Sequence, residues 1–200
     1  MATTTKAAHA ATRGLADLFL DGLKDVYYAE KKILKALPKM AKGADGKDVS
    51  AAFQKHLTET QEQVARLERV FGELGVKATG KTCPAIDGIL EEGEEILAEY
   101  KGSPALDAGL VAAAQAVEHY EIARYGTLIA WAEQLGHGEA VKLLTVTLSE
   151  EMATDEALAS PIEKVTVDAL QGANPHRIRR ILQHGADRAL AKQHLGAIAQ

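Results

Sequence analysis

The chain has 200 residues and a formal net charge of −5, and 46% of it is hydrophobic but only 4% aromatic. That length suffices for one domain with a sizeable core, and an Ala- and Leu-rich, aromatic-poor composition favours helices over a sandwich or barrel. No window alternates as a strand and no apolar run nears the roughly 18 residues of a membrane span, while the single cysteine, Cys83, excludes an internal disulfide and a cysteine-based metal knuckle.

The opening MATTTKAAHAATR lacks the apolar core of a signal peptide. Residues 1–12 therefore read as a disordered tail, and the protein as soluble and cytoplasmic. A first long helix is expected over about 13–42, with a bend at Pro38, because an interior proline removes a hydrogen bond. Its stripe Phe19, Leu23, Val26, Glu30, Ile33, Leu37 keeps a 4-3-4-3-4 spacing, close to 3.6 residues per turn. Glu30 interrupts it.

After the break KGADGKD, a second helix is expected over about 48–75. It carries Phe53, Leu57, Thr60, Val64, Leu67 and Phe71, with His56, Glu59 and Gln63 along the flank. A shorter helical piece follows at about 85–101. Its Glu91, Glu92, Glu94 and Glu95 read as a solvated face, and Cys83 before it as a packing residue. The third long helix, about 104–135, has the stripe Leu110, Ala114, Glu118, Glu121, Tyr125, Leu128. The fourth, about 138–160, has Leu144, Leu148, Glu151, Asp155, Leu158. Pro104, Pro161 and Pro175 each follow Ser or Asn, the order of a helix cap and first helical residue, so one or two short helices are expected to finish the chain.

Short turns make two antiparallel hairpins, and the roughly 30 residues between them can cross a bundle. That is the topology of an all-α, ferritin-like four-helix bundle with one long crossover, spanning about 13–165. The extension over 166–200 is basic. From Asn174 onward Arg177, Arg179, Arg180, Arg188 and Lys192 face Asp187 alone, so +4 of the −5 total lies here and −9 on the rest. A basic end can bind nucleic acid. Docking on the acidic body is the simpler reading of five charges.

Each long helix thus brings a carboxylate to or beside its apolar stripe, and their heights agree. Glu30 and Glu59 are equidistant from position 44.5, inside the first turn. The Glu118–Glu121 and Glu151–Asp155 pairs are equidistant from about 136, inside the second. In both hairpins the acids lie 14–17 residues from the turn, roughly 20–25 Å along the axis. Packed in register, six carboxylates and one imidazole converge on one layer. Bare anions there are very costly, so protons, basic side chains or metal must neutralise them. A pair of divalent cations balances about four carboxylates, and an oxygen-rich site with an imidazole suits iron or manganese.

On these grounds the metal candidates are Glu30, His56, Glu59, Glu118, Glu121, Glu151 and Asp155. Glu30, Glu59, Glu118 and Glu151 are the main ligands, His56 a terminal one, and Glu121 and Asp155 ligands able to shift coordination mode. His119 points about 100° from Glu118 and reads as a residue that holds a ligand or substrate. Glu150 reads as exposed. Tyr120 or Tyr125 could give a hydrogen bond or an electron.

LADLFLDGLKDVYYAEKKILKALPKMA, AFQKHLTETQEQVARLERVF, VEHYEIARYGTLIAWAEQLG and LLTVTLSEEMATDEAL resemble the YciE/YciF-type stress proteins of bacteria over roughly residues 14–160. The resemblance implies a ferritin-like homodimer associated with stress responses, with the same seven residues at its candidate metal positions. The sequence departs from the wider superfamily: it contains no Glu-x-x-His, and the second helix carries the reverse order, His56-x-x-Glu59. A dinuclear Fe or Mn site acting on O2 or peroxide is the leading reading. A non-enzymatic stress protein that binds a partner or nucleic acid through the basic tail, and an iron store, are the alternatives.

Overall fold

A computed structural model describes residues 13–171, with side chains placed for 13–158, 165 and 166. The proposed tail over 1–12, Pro175 and the basic stretch from Arg177 to Lys192 lie outside the described residues. Among the described residues every element is helical: α1 (Leu15–Gly43), α2 (Lys47–Glu73), α3 (Pro84–Glu99), α4 (Leu106–Gln134) and α5 (Gly138–Gln171). None is long and apolar enough to cross a membrane.

Local chemistry explains most ends. Asp17 accepts the Gly14 N–H at 2.9 Å and starts α1. Pro84 opens α3, where its missing N–H costs nothing. Gly75 and Gly136 adopt φ of 67° and 74°. Each lets the chain turn back so that Val76 and His137 donate to Phe71 and Ala132 at 3.0 and 2.9 Å, closing α2 and α4.

Boundaries fall within two residues of expectation, save one. The chain does not break at Ser160-Pro161, and α5 runs through to Gln171. Val165, about two turns beyond Leu158, is buried in the same apolar cluster, and that burial opposes the cost of one proline in the helix. Ser103-Pro104 also differs. The pair forms a turn, with Ser103 Oγ accepting the Ala105 N–H at 3.2 Å, and α4 starts at Leu106. α1 continues past Pro38, whose neighbours Leu37 and Met40 are buried.

α1 packs on α2 and α4, and α5 on α4 and α2, which makes a four-helix square. α3 crosses outside it, against α1 and α4. The two hairpin turns sit at opposite ends. Asp107, at the start of α4, accepts the N–H groups of Asp45 and Gly46 in the first turn at 2.9 and 2.7 Å. A Cβ on Gly46 would meet that carboxylate at 2.7 Å, so a side chain there would have to displace Asp107. At the other end His137, in the second turn, stacks on Phe19 of α1 with centroids 5.8 Å apart.

The core comes in two blocks. Ile33, Leu37, Phe53, Ile86, Leu110 and Leu158 belong to one, beside the first turn. Phe19, Leu23, Leu67, Phe71, Leu128 and Leu144 belong to the other, beside the second. Each such side chain contributes about 1.5–3 kcal/mol by burial. Between the blocks lies a polar layer of buried Glu30, His56, Thr60, Gln63, Glu118, Glu121, Thr147, Glu151 and Thr154.

Candidate metal centre

The layer forms because the acids occupy core positions near mid-helix, where a 3.6-residue period turns them inward with their apolar neighbours. Opposed turns do not disturb the match, since a mid-helix residue is about equally far from either end. His56 of α2, Glu118 and Glu121 of α4 and Glu151 of α5 each place one ligand atom so that all four lie within 4.8 Å of one another. His56 Nδ1 is 3.2 Å from Glu118 Oε1. Glu30 enters from α1 and accepts a short hydrogen bond from the Tyr125 hydroxyl.

The other two candidates lie at the edge. Glu59 is half-buried, and its Oε1 is 2.5 Å from Lys55 Nζ. Asp155 is half-buried too and faces the exposed His119, whose Nε2 is 3.2 Å away. Tyr120 is outside the layer. Its hydroxyl donates to Asp25 at 2.9 Å and lies 3.2 Å from Sγ of the buried Cys83. Glu91, Glu92, Glu94 and Glu95 of α3 are exposed, and Glu94 pairs with Lys39 at 2.7 Å.

Glu150 corrects the sequence reading. It is not exposed: Arg66 of α2 grips both its oxygens at 2.9 Å and donates to Thr147 at 2.6 Å. Gln63 donates to it at 3.3 Å. Arg66 lies one turn after Gln63 on the flank that carries His56 and Glu59, and nothing local separates it from a flank arginine turned to water.

Burial governs the charges. It is the largest effect on Glu30, Glu118, Glu121 and Glu151. It raises Glu118 to about 10, with the nearby Glu151 charge adding to it. Glu30 and Glu121 are pushed well above the usual carboxylate range, by burial and then by Glu151 and Glu30 respectively. Glu151 rises to about 7, the hydrogen bond from Glu118 and the charge of Arg66 holding it lower. His56 falls to about 4, by burial and then by Lys55. The close His56–Glu118 contact is thus a neutral imidazole beside a neutral acid, not an ion pair. Burial and then Glu30 raise the Tyr125 phenol, so it stays a donor.

A divalent cation fits this donor set. All seven candidates carry at least one buried side-chain oxygen or nitrogen without a hydrogen-bond partner: both oxygens of Glu118, Glu121 and Glu151, and one atom each of Glu30, His56, Glu59 and Asp155. Gln63 Oε1 is the remaining orphan among the described residues. Buried polar atoms are ordinarily paired, and here the exceptions gather in one place. Protons relieve some of them, since a protonated Glu118 can donate to Glu151 and a protonated Glu121 to Glu30. A cation relieves more at once, because it attracts several oxygens and one nitrogen.

A family described as "Domain of unknown function (DUF892)" matches residues 14–171. The chain belongs to this family. Protein YciF of Escherichia coli (strain K12) is 46% identical over 140 residues, which cover 70% of this chain and 84% of that protein. The crystal structure of the E. coli stress protein YciF aligns with a TM-score of 0.74 at 41% identity, over 78% of this chain and 98% of that one. YcfI of Rhodopseudomonas palustris aligns with a TM-score of 0.72 at 52% identity, over 76% and 97%. A Xanthomonas campestris protein at 22% identity shares the fold, with a TM-score of 0.63.

Proposed function

We propose that the chain is a stress-associated metalloprotein that holds two iron or manganese ions in the buried layer. The observation that carries this reading is the gathering of orphaned carboxylate oxygens and the His56 Nε2 at one height of the bundle. His56, Glu118, Glu121 and Glu151 hold the first ion. Glu30, beside Glu121, extends the set towards a second, and Asp155 completes it from the rim. The ions would supply redox chemistry towards O2 or peroxide.

The protein supplies placement and charge. The Tyr125 hydroxyl fixes the orientation of Glu30. Arg66 neutralises Glu150, so that the neighbouring Glu151 is free for the layer. Two apolar blocks keep bulk water out, which strengthens every electrostatic contact inside. His119 steadies Asp155. A homodimer and a cytoplasmic location belong to the same proposal, on the family resemblance, and sizing of the purified protein tests the first.

Metal analysis tests the centre. Protein purified without chelator or metal-resin contact is expected to carry about two Fe or Mn per chain by elemental mass spectrometry, the two that roughly four carboxylates balance. The double substitution Glu118→Ala plus Glu121→Ala is expected to lose them. Wild-type protein that stays empty after Fe(II) or Mn(II) is added overturns the proposal.

A further inference from the structure

Glu59 differs from the other acids of the layer. It lies one turn from His56 on α2 and is 26% exposed, with Oε1 held by Lys55 and Oε2 buried without a partner. Its charge is felt by Glu151. It also lines a cavity of about 50 Å3 between α2 and α5, which has room for a few water molecules. Exposed Lys55 and Ala157 form part of its rim, and buried His56 lines it within. A second cavity, of about 40 Å3, reaches His56 from the α3 side. Ile33, Met40, Leu90, Ala113 and Val117 line that one, and it holds no oxygen to guide a cation.

Building on the metal-binding reading, we infer that cations reach the layer through the α2–α5 cleft, and that Glu59 is the carboxylate that carries them inward. A divalent ion loses water reluctantly, so a passage this narrow needs a ligand that replaces water at the mouth. Glu59 is placed for that. In the metal-free protein the Lys55 ammonium balances it. An arriving cation takes the place of that ammonium, Lys55 is released to solvent, and the Glu59 side chain turns towards His56 with the ion bound. Net charge at the mouth rises only by the difference between the two cations.

The test is the rate of Co(II) loading into the full, chelator-treated chain, followed by visible absorption, with final stoichiometry measured separately. Ala157 is exposed, so Ala157→Trp covers the mouth without entering the core. It is expected to slow loading by about tenfold or more and leave the final Co(II) content unchanged. Glu59→Gln is expected to slow loading by a similar factor, the scale on which local charge alters association rates. Lys55→Gln is expected to speed it. Ala113→Leu, which fills the other cavity, is expected to load at the wild-type rate. Circular dichroism confirms that each variant is folded. Equal rates in Ala157→Trp and wild type, or slowing by Ala113→Leu alone, overturn the route. Glu59→Gln loading at the wild-type rate, or losing bound Co(II) at equilibrium, makes Glu59 a bystander or a resident ligand and overturns its carrier role. Wild-type protein that binds no Co(II) removes the metal reading and the route together.

Discussion

Glu118→Gln should make the metal-free protein more stable at neutral pH, although it alters a fully buried residue. Glu118 has a folded-state pKa of about 10 against 4.5 for the free side chain. Between those values the native state holds a proton that the unfolded state has released. Stability must therefore fall as pH rises through that window. The contribution is complete below pH 4.5 and is lost progressively up to about 10. At pH 7 the cost amounts to about 3 kcal/mol, from about 2.5 pH units at 1.36 kcal/mol each. Glutamine keeps the shape and the donor towards Glu151 but carries no titrating proton. It should recover up to that amount at pH 7 and almost nothing at pH 4.5. A gain of that size shifts the melting temperature by roughly 6–12 °C in a chain this long. Urea unfolding of chelator-treated wild type and Glu118→Gln, at pH 4.5 and pH 7, measures both numbers. Glu118→Gln that is no more stable than wild type at pH 7 would show that the layer is not held together by protons, and the reasoning fails.

Three further outcomes follow from the same geometry. Mn(II) at a hundred times its dissociation constant should stabilise wild type by about 2.7 kcal/mol, read as a higher melting temperature that Glu118→Gln does not share. Tyr125→Phe leaves the Glu30 oxygen without its donor and should cost about 1–3 kcal/mol in urea unfolding of the metal-free protein. Asp107→Ala releases the first turn from α4 and should cost about 1–2 kcal/mol, with faster amide exchange at Asp45 and Gly46 as its local signature.

The bundle was legible because its stripes are long and regular, and 4-3 spacing over five turns has few other solutions. The layer was legible by counting from the turns, which needs no side-chain geometry. What counting cannot give is reach. Glu59 and Asp155 share the height of Glu118 yet stand at the rim, Glu59 on the flank of its stripe and Asp155 although it was counted in its own. Arg66 was missed because nothing local separates an arginine that turns towards the layer from one that turns to water. Glu150 was misplaced for the same reason, as its partners come from another helix. Pro161 misled because proline is a strong local stop signal, and the burial of Val165 that opposes it is a tertiary fact.

The division of the apolar core into two blocks bears on how the molecule comes apart. A continuous core transmits loss of packing along its whole length, so a helical bundle ordinarily melts as one unit. Here the chain of apolar contacts is interrupted at mid-height by buried acids and other polar groups. In the metal-free protein each end can lose its packing with limited consequence for the other, and calorimetry should record a transition broader than a single cooperative step allows. An ion gripped from α2, α4 and α5 ties the two blocks at their common boundary, so loading should sharpen the transition as well as raise it. The acids that weaken the middle of the bundle would then decide whether its halves behave as one body.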